Sequence, residues 1–259
     1  MVHAFSYRKV KEDGTEEPPA FEMALSQKIA VFAFAALFTP VYYLVEWLAG
    51  EGVGYRGMLI LAFVFALALL CLLVFDHKRC SLQGAGGAML CAFYPTVLLA
   101  TMLLANDLAA GTLALLIIFV ISPVADTFAF VVGSIFKGKK LCPNISPNKT
   151  VSGAVGGIVF GTGASVLLYW LYTLCSDYVY TGLGSGYAWA PWVIFAAIGL
   201  IASVMTEFGD LAESIIKRKV GVKDMGKLLP GHGGILDRID GTLFASTFVY
   251  IVFEIFVLL

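Results

Sequence analysis

The residues of this chain that could do chemistry crowd into one stretch, Ser214 to Asp240, which reads SIIKRKVGVKDMGKLLPGHGGILDRID. It holds six of the seventeen Lys and Arg residues: Lys217, Arg218, Lys219, Lys223, Lys227 and Arg238. Just ahead of it, Ser203, Glu207, Asp210, Ser214 and Lys217 recur at three- and four-residue intervals, the spacing of one face of a helix from about Trp192 to Lys219. Gly231, Gly233 and Gly234 let a backbone approach a ligand closely, and Asp237 and Asp240 fall three apart on the first turn of a last helix. Carboxylate oxygens suit a hard cation, and ammonium and guanidinium groups offset phosphate charge, so the set matches the needs of a Mg²⁺–triphosphate. Two plainer readings stand beside this one. The stripe also suits the solvated end of a membrane helix, and the basic residues also suit anionic lipid headgroups. The second leaves the acids and the His232-Gly233-Gly234 turn unexplained.

A second polar stretch begins with Asp126, inside an apolar run close to Pro123, and continues through Lys137, Lys139 and Lys140 to Lys149 and Thr150. A carboxylate at membrane depth is costly and is a functional candidate by default; a structural ion pair or hydrogen bond within the bundle is the alternative. Glu46 and Asp107 lie near the ends of apolar runs, where water reaches them, and receive no role.

The elements that must position these groups are membrane helices. Apolar residues make up 59% of the chain and charged ones 14%, against roughly a quarter in soluble domains, and the mean hydropathy is +0.88. Seven apolar runs approach the roughly 20 residues that a bilayer requires: 29–49, 57–75, 84–104, 110–133, 151–175, 189–209 and 241–259. Pro40 and Glu46 would kink the first or end it early. The expected fold is an all-α, polytopic membrane bundle of about seven helices, more if a span is broken. Its divisions are a polar tail over 1–28, membrane helices over 29–105 and a catalytic membrane domain over 106–259. The tail contains Glu16-Glu17-Pro18-Pro19, lacks the apolar core of a signal peptide and is expected to fray.

Alternate connections hold sixteen of the seventeen positive charges. By the positive-inside rule the N-terminus is then cytoplasmic, and the segments 134–150 and 210–240 share the cytoplasmic face. A net charge of −1 argues against a nucleic-acid partner. Cys71, Cys80, Cys91, Cys142 and Cys175 have neither zinc-ligand nor disulfide-framework spacing. The connection around Thr181 to Tyr187 reads as a glycine turn, with Trp189 and Trp192 at the lipid–water interface. No internal repeat is visible, which counts against a transporter or channel.

The 27 positions from Ser214 to Asp240 resemble the signature of the phosphatidate cytidylyltransferases, the CDP-diacylglycerol synthases. Ser214, Lys217-Arg218, Lys223-Asp224, Gly226, Leu229-Pro230, His232-Gly233-Gly234, Asp237-Arg238 and Asp240 all fall at that family's spacing. Gly209-Asp210-Leu211, Asp126-Thr127, Ile145-Ser146-Pro147, Lys149-Thr150 and Gly156-Gly157 are similar to it as well. Departures are Phe130 in place of Tyr, Ser152 in place of Glu, and Thr206 where Gln is common. Residues 1 to about 90 match only as generic membrane helices.

The resemblance implies transfer of a cytidylyl group from CTP to phosphatidic acid, with release of pyrophosphate. It implies Asp210 and Asp237 as carboxylates for Mg²⁺, with Asp240 in support and a second cation left open. Lys217, Arg218, Lys223 and Arg238 are then expected on phosphate oxygens. Asp126, Lys149, Ser214 and His232 would line the polar cavity, His232 in a positioning role, and Asp224, Gly233 and Gly234 would bind substrate. The resemblance also suggests a homodimer, and phospholipid synthesis would place it in the plasma membrane if the source is bacterial or in an organellar membrane. The cytoplasmic face of the site follows from the charge alternation above, not from the resemblance. A polyprenol kinase or an ether-lipid cytidylyltransferase using CTP is the nearest alternative. A CDP-alcohol phosphatidyltransferase is disfavoured, because Asp240-Gly241 leads into Thr242-Leu-Phe-Ala-Ser246 rather than that family's pattern.

Overall fold

The computed structural model describes residues 1–6, 19, 21–108, 110–175, 187, 189–226, 228 and 233–257. In chain order the helices are α1 (Val2–Phe5), α2 (Leu25–Ala49), α3 (Gly54–Phe75), α4 (Leu82–Ala92), α5 (Leu98–Asn106), α6 (Gly111–Phe136), α7 (Val151–Cys175), α8 (Ala190–Val220) and α9 (Leu236–Val252). An antiparallel hairpin of β1 (Lys140–Cys142) and β2 (Ser146–Thr150) joins α6 to α7. Among the described residues six helical rods are long and apolar enough to cross a membrane: α2, α3, α4 joined to α5, α6, α7 and α8. Their outer faces expose large apolar side chains, with Trp47 at 80% and Phe75 at 85%. Such faces are stable only against hydrocarbon. The chain is an integral membrane protein of helical build.

Local sequence explains the details. Helix α2 runs unbroken through Pro40, since a lost backbone bond is tolerated where neighbouring groups re-satisfy the freed carbonyl. Pro95 lies in the π-turn Phe93–Val97 that links α4 to α5; without its N–H the ladder re-registers there. The seventh expected span forms as the 17-residue α9 followed by a π-turn over Phe253–Val257. Glu46, which seemed idle in the sequence, accepts the N–H of Gly52 at 3.0 Å and of Gly54 at 2.7 Å, satisfying donors at the start of α3.

The expected frayed tail is corrected for its described part. Ala4 and Phe5 are buried, and the Phe5 ring stacks on Phe21 at 4.8 Å. Phe21 in turn fits over Gly87 of α4, where a Cβ would come within 2.8 Å of it. Two aromatic rings provide the anchorage that the polar composition around them conceals.

The chain divides into two compact units, Met1–Ala100 with Lys217–Leu236, and Thr101–Ile216 with Asp237–Leu259. In the first, Phe34 packs on Phe65 at 4.6 Å and on Phe93 at 5.8 Å. In the second, Leu113, Ile117 and Ile121 of α6 meet Phe195 and Ile198 of α8 and Val249 of α9. Hydrogen bonds from Thr242 to Ser122 at 3.1 Å and between Thr101 and Ser246 at 3.0 Å add the polar glue that packing in lipid relies on.

Helix α7 approaches α6 along a line of small residues. A Cβ on Gly153 would sit 2.5 Å from the Ala129 carbonyl oxygen, one on Gly156 2.6 Å from Val132, and one on Gly157 2.7 Å from the Ala125 carbonyl oxygen. Two backbones can come this close only where side chains are missing. Gly157→Val should therefore push α6 and α7 apart at a cost of about 1–3 kcal/mol. The expected result is a lower thermal unfolding midpoint in detergent; an unchanged midpoint would show that the helices are not clamped at this point.

Candidate active site

The second unit brings its chemistry-bearing residues together at the polar end of α8. With 31 residues this helix extends about 46 Å, against roughly 30 Å of hydrocarbon in a bilayer. Its last turns can thus carry charge clear of the apolar layer. The polar stripe expected from spacing is present, but its members differ in function. Ser203 is fully buried and donates to the Gly199 carbonyl at 2.7 Å, a structural bond. Glu207, Asp210 and Ser214 lie further along, where Ser214 Oγ donates to Asp210 Oδ1 at 3.4 Å.

The hairpin supplies the complementary charge. Thr150 ends β2 and caps α7, its hydroxyl accepting the Gly153 N–H at 3.1 Å. Ser152 at the start of α7 donates to the Lys137 carbonyl, and Val151 N–H donates to the Lys139 carbonyl at 3.0 Å. These bonds tie both flanks of the hairpin to the helix ends and fix the residue just before the cap, Lys149. Its Nζ donates to Glu207 Oε2 at 2.5 Å and lies 2.7 Å from Asp210 Oδ2. Burial alone would lower the Lys149 pKa. The carboxylates of Asp210 and Glu207, by charge and by hydrogen bond, more than reverse this and hold the ammonium above its ordinary value.

Asp126, Gly133, Lys137, Lys149, Glu207 and Asp210 line a cavity of about 780 Å³ with a partly apolar wall that includes Phe130 and Ala154. Asp126 is exposed into this cavity, and the charges of Lys149, Asp210, Asp240 and Glu207 all act on it. Asp240 is buried on the first turns of α9. It accepts the Gly241 N–H at 2.8 Å, and its carbonyl sits against Gly209, where a Cβ would fall 2.6 Å away. Asp237 is half-buried and Arg238 exposed on the same turn.

The expected residues of the first unit have a different setting. Lys217 and Arg218 occupy the last turn of α8, where positive charge suits the helix dipole. Gly221 closes that helix at φ +79°: its N–H donates to the Arg218 carbonyl at 3.2 Å, and the Val222 N–H donates to the Lys217 carbonyl at 3.0 Å. Lys223 and Asp224 follow and line a cavity of about 680 Å³ together with His3. Gly234 lies against Gly226, at 3.2 Å from where a Cβ would stand; Gly233 adopts φ +81°. His232 and Lys227 lie outside the described residues.

Among the described residues no three His, Cys, Asp or Glu side chains converge as a ready metal cage, so Asp210, Asp237 and Asp240 do not form one as they stand. The donor set nevertheless fits Mg²⁺, which binds through one or two carboxylates plus phosphate oxygens and retained waters. The charges of Glu207, Asp210 and Asp240 act on Asp126 together with the ammonium of Lys149. Among the described residues Glu207 Oε1 is buried without a hydrogen-bond partner.

Glu207, which the sequence places on the polar stripe but to which it assigns no role, is brought against Lys149. It lay on the stripe, three residues before Asp210, and its helix face marked it; its partner, 58 residues earlier, did not.

Comparison with known proteins places the chain in a family. The model of the cytidylyltransferase family matches residues 17–256. The phosphatidate cytidylyltransferase of Brucella abortus (strain 2308) is 36% identical over 154 residues, 60% of this chain and 52% of that protein. Proteins of the same name from Bacillus subtilis (strain 168) and Thermotoga maritima are 41% identical over 131 residues and 42% identical over 134 residues. Each of these alignments covers 51% of this chain, and 44% and 46% of the respective relative. The chain spans about half the length of the curated relatives it matches. With 17–256 covered by the family's own pattern, the chain belongs to the cytidylyltransferase family.

Proposed function

We propose that the chain transfers a cytidylyl group from CTP to phosphatidic acid, giving CDP-diacylglycerol and pyrophosphate. The observation that carries this reading is Lys149, an ammonium held between Glu207 and Asp210 in a cavity that has both a charged end and an apolar wall. A lipid phosphate requires both surfaces at once. In the reaction an oxygen of the phosphate monoester attacks the α-phosphorus of CTP, a P–O bond forms, and the bond to the leaving pyrophosphate breaks. The nucleophile is already ionised near neutral pH, so no general base is needed, and the protein's task is positioning and charge neutralisation.

Lys149 and, from the signature segment, Lys217, Arg218, Lys223 and Arg238 are assigned to phosphate oxygens. Asp210 and Asp237, with Asp240 in support, would hold Mg²⁺, which supplies further neutralisation of the triphosphate when bound. Asp126 and Ser214 orient the polar end of the cavity, Ser214 through its bond to Asp210. Asp224, Gly233 and Gly234 belong to the substrate contacts of the signature segment. The alternation of Lys and Arg along the chain supports a site open to the cytoplasm, as soluble CTP demands. A homodimer, in the plasma membrane if the source is bacterial, completes the reading.

Purified protein in detergent should release pyrophosphate only when CTP, phosphatidic acid and Mg²⁺ are all present, and Asp210→Ala should reduce that rate by about 100-fold or more. Turnover of CTP with a polyprenol or ether-lipid acceptor instead would shift the assignment to that substrate. Folded protein inactive with every acceptor would overturn it. A separate outcome concerns stability: Lys149→Met leaves two adjacent carboxylates unneutralised and should cost about 3 kcal/mol, read as a lowered unfolding midpoint. Equal midpoints for Lys149→Met and the parent would mean the ion pairs contribute nothing.

A further inference from the structure

We infer that Glu207 is a positioning residue, one that keeps Lys149 in the cavity when Asp210 engages a cation. This rests on Asp210 serving as a cation carboxylate, as proposed above. The geometry shows why a second anchor is needed. Lys149 Nζ shares its donors between Glu207 Oε2 at 2.5 Å and Asp210 Oδ2 at 2.7 Å. An ammonium has three N–H groups, so the third remains for a phosphate oxygen. A cation held by Asp210 would compete with Lys149 for that carboxylate. Without another carboxylate, Lys149 would either hold Asp210 and oppose the cation or swing out of the cavity, taking its contribution to phosphate binding with it.

Glu207 has the properties of such an anchor. It is 6% exposed, so its charge is little screened by water. It lies one helical turn before Asp210 on the same face of α8, so both carboxylates are delivered to one ammonium. Among the described residues its Oε1 is buried with no hydrogen-bond partner, although the residue lines the cavity. The group therefore has unused capacity to follow Lys149 as it shifts away from Asp210. Ser214 holds the other Asp210 oxygen, Oδ1, so the aspartate stays oriented while its ammonium partner moves.

The test is a double-mutant cycle on cation binding, read without turnover. Mn²⁺ serves as the probe, and its free concentration is followed by electron paramagnetic resonance with the full chain in detergent, without nucleotide or lipid. Glu207→Gln should weaken Mn²⁺ binding about tenfold in the parent chain, because Lys149 then collapses onto Asp210 alone, and less than about twofold beside Lys149→Met. Glu207→Asp, which keeps the charge, should restore binding to within about threefold of the parent, and circular dichroism on each variant confirms the helical fold. Equal weakening in both backgrounds overturns the proposal, since Glu207 would then act on the cation itself. No weakening in either background overturns it as well. A parent chain that binds no Mn²⁺ sinks the cation reading of Asp210 and this inference with it. A parent with normal pyrophosphate release but an additive cycle sinks the inference alone.

Discussion

Charge at the edge of hydrocarbon is tolerated only when it is answered at short range, and the ammonium of Lys149 between Glu207 and Asp210 is where this chain meets that condition. Separating such a trio would leave carboxylates buried beside an apolar wall. The surrounding architecture serves to keep the three groups in register. Helix α8 carries the acids outward on a continuous hydrogen-bonded rod. The hairpin after α6 presents the lysine one residue before a capped helix start, where backbone freedom is least.

That placement depends in turn on how closely two membrane helices approach. Glycines of α7 lie against carbonyls of α6, so the ends of both helices emerge side by side, and a short hairpin is enough to bridge them. A bulkier interface would need a longer connection, whose tip would be correspondingly less fixed. Precision at a polar site is thus obtained from small residues deep in the apolar layer, through packing alone.

Much of this was legible in the sequence because lipid imposes simple rules. Bilayer thickness set the length of the apolar runs, and α2, α3, α6, α7 and α8 formed close to where those runs lie. Spacing alone placed Glu207, Asp210 and Ser214 on one helix face. The hairpin escaped notice because strands of three and five residues show no alternation; their order comes from the helix ends that they join. Docking of the N-terminal segment escaped for a related reason. Phe5 and Phe21 are aromatic residues 16 positions apart in a polar stretch, and their stacking is a property of the folded surface rather than of any periodic pattern. The choice of Lys149 as the partner of Glu207 is a tertiary fact, set by a packing arrangement that no local window contains.

Helix α8 also makes the chain sensitive to counting. Each residue in an α-helix turns the following side chains by about 100°. One residue inserted between Ala190 and Glu207 would leave that segment as apolar and as helical as before, yet would rotate both carboxylates out of phase with the hairpin lysine. Many apolar replacements preserve the hydropathy of this stretch; almost no change of length preserves its phase. The membrane-embedded part of α8 is therefore a timing element for the site at its end, permissive in composition and strict in number.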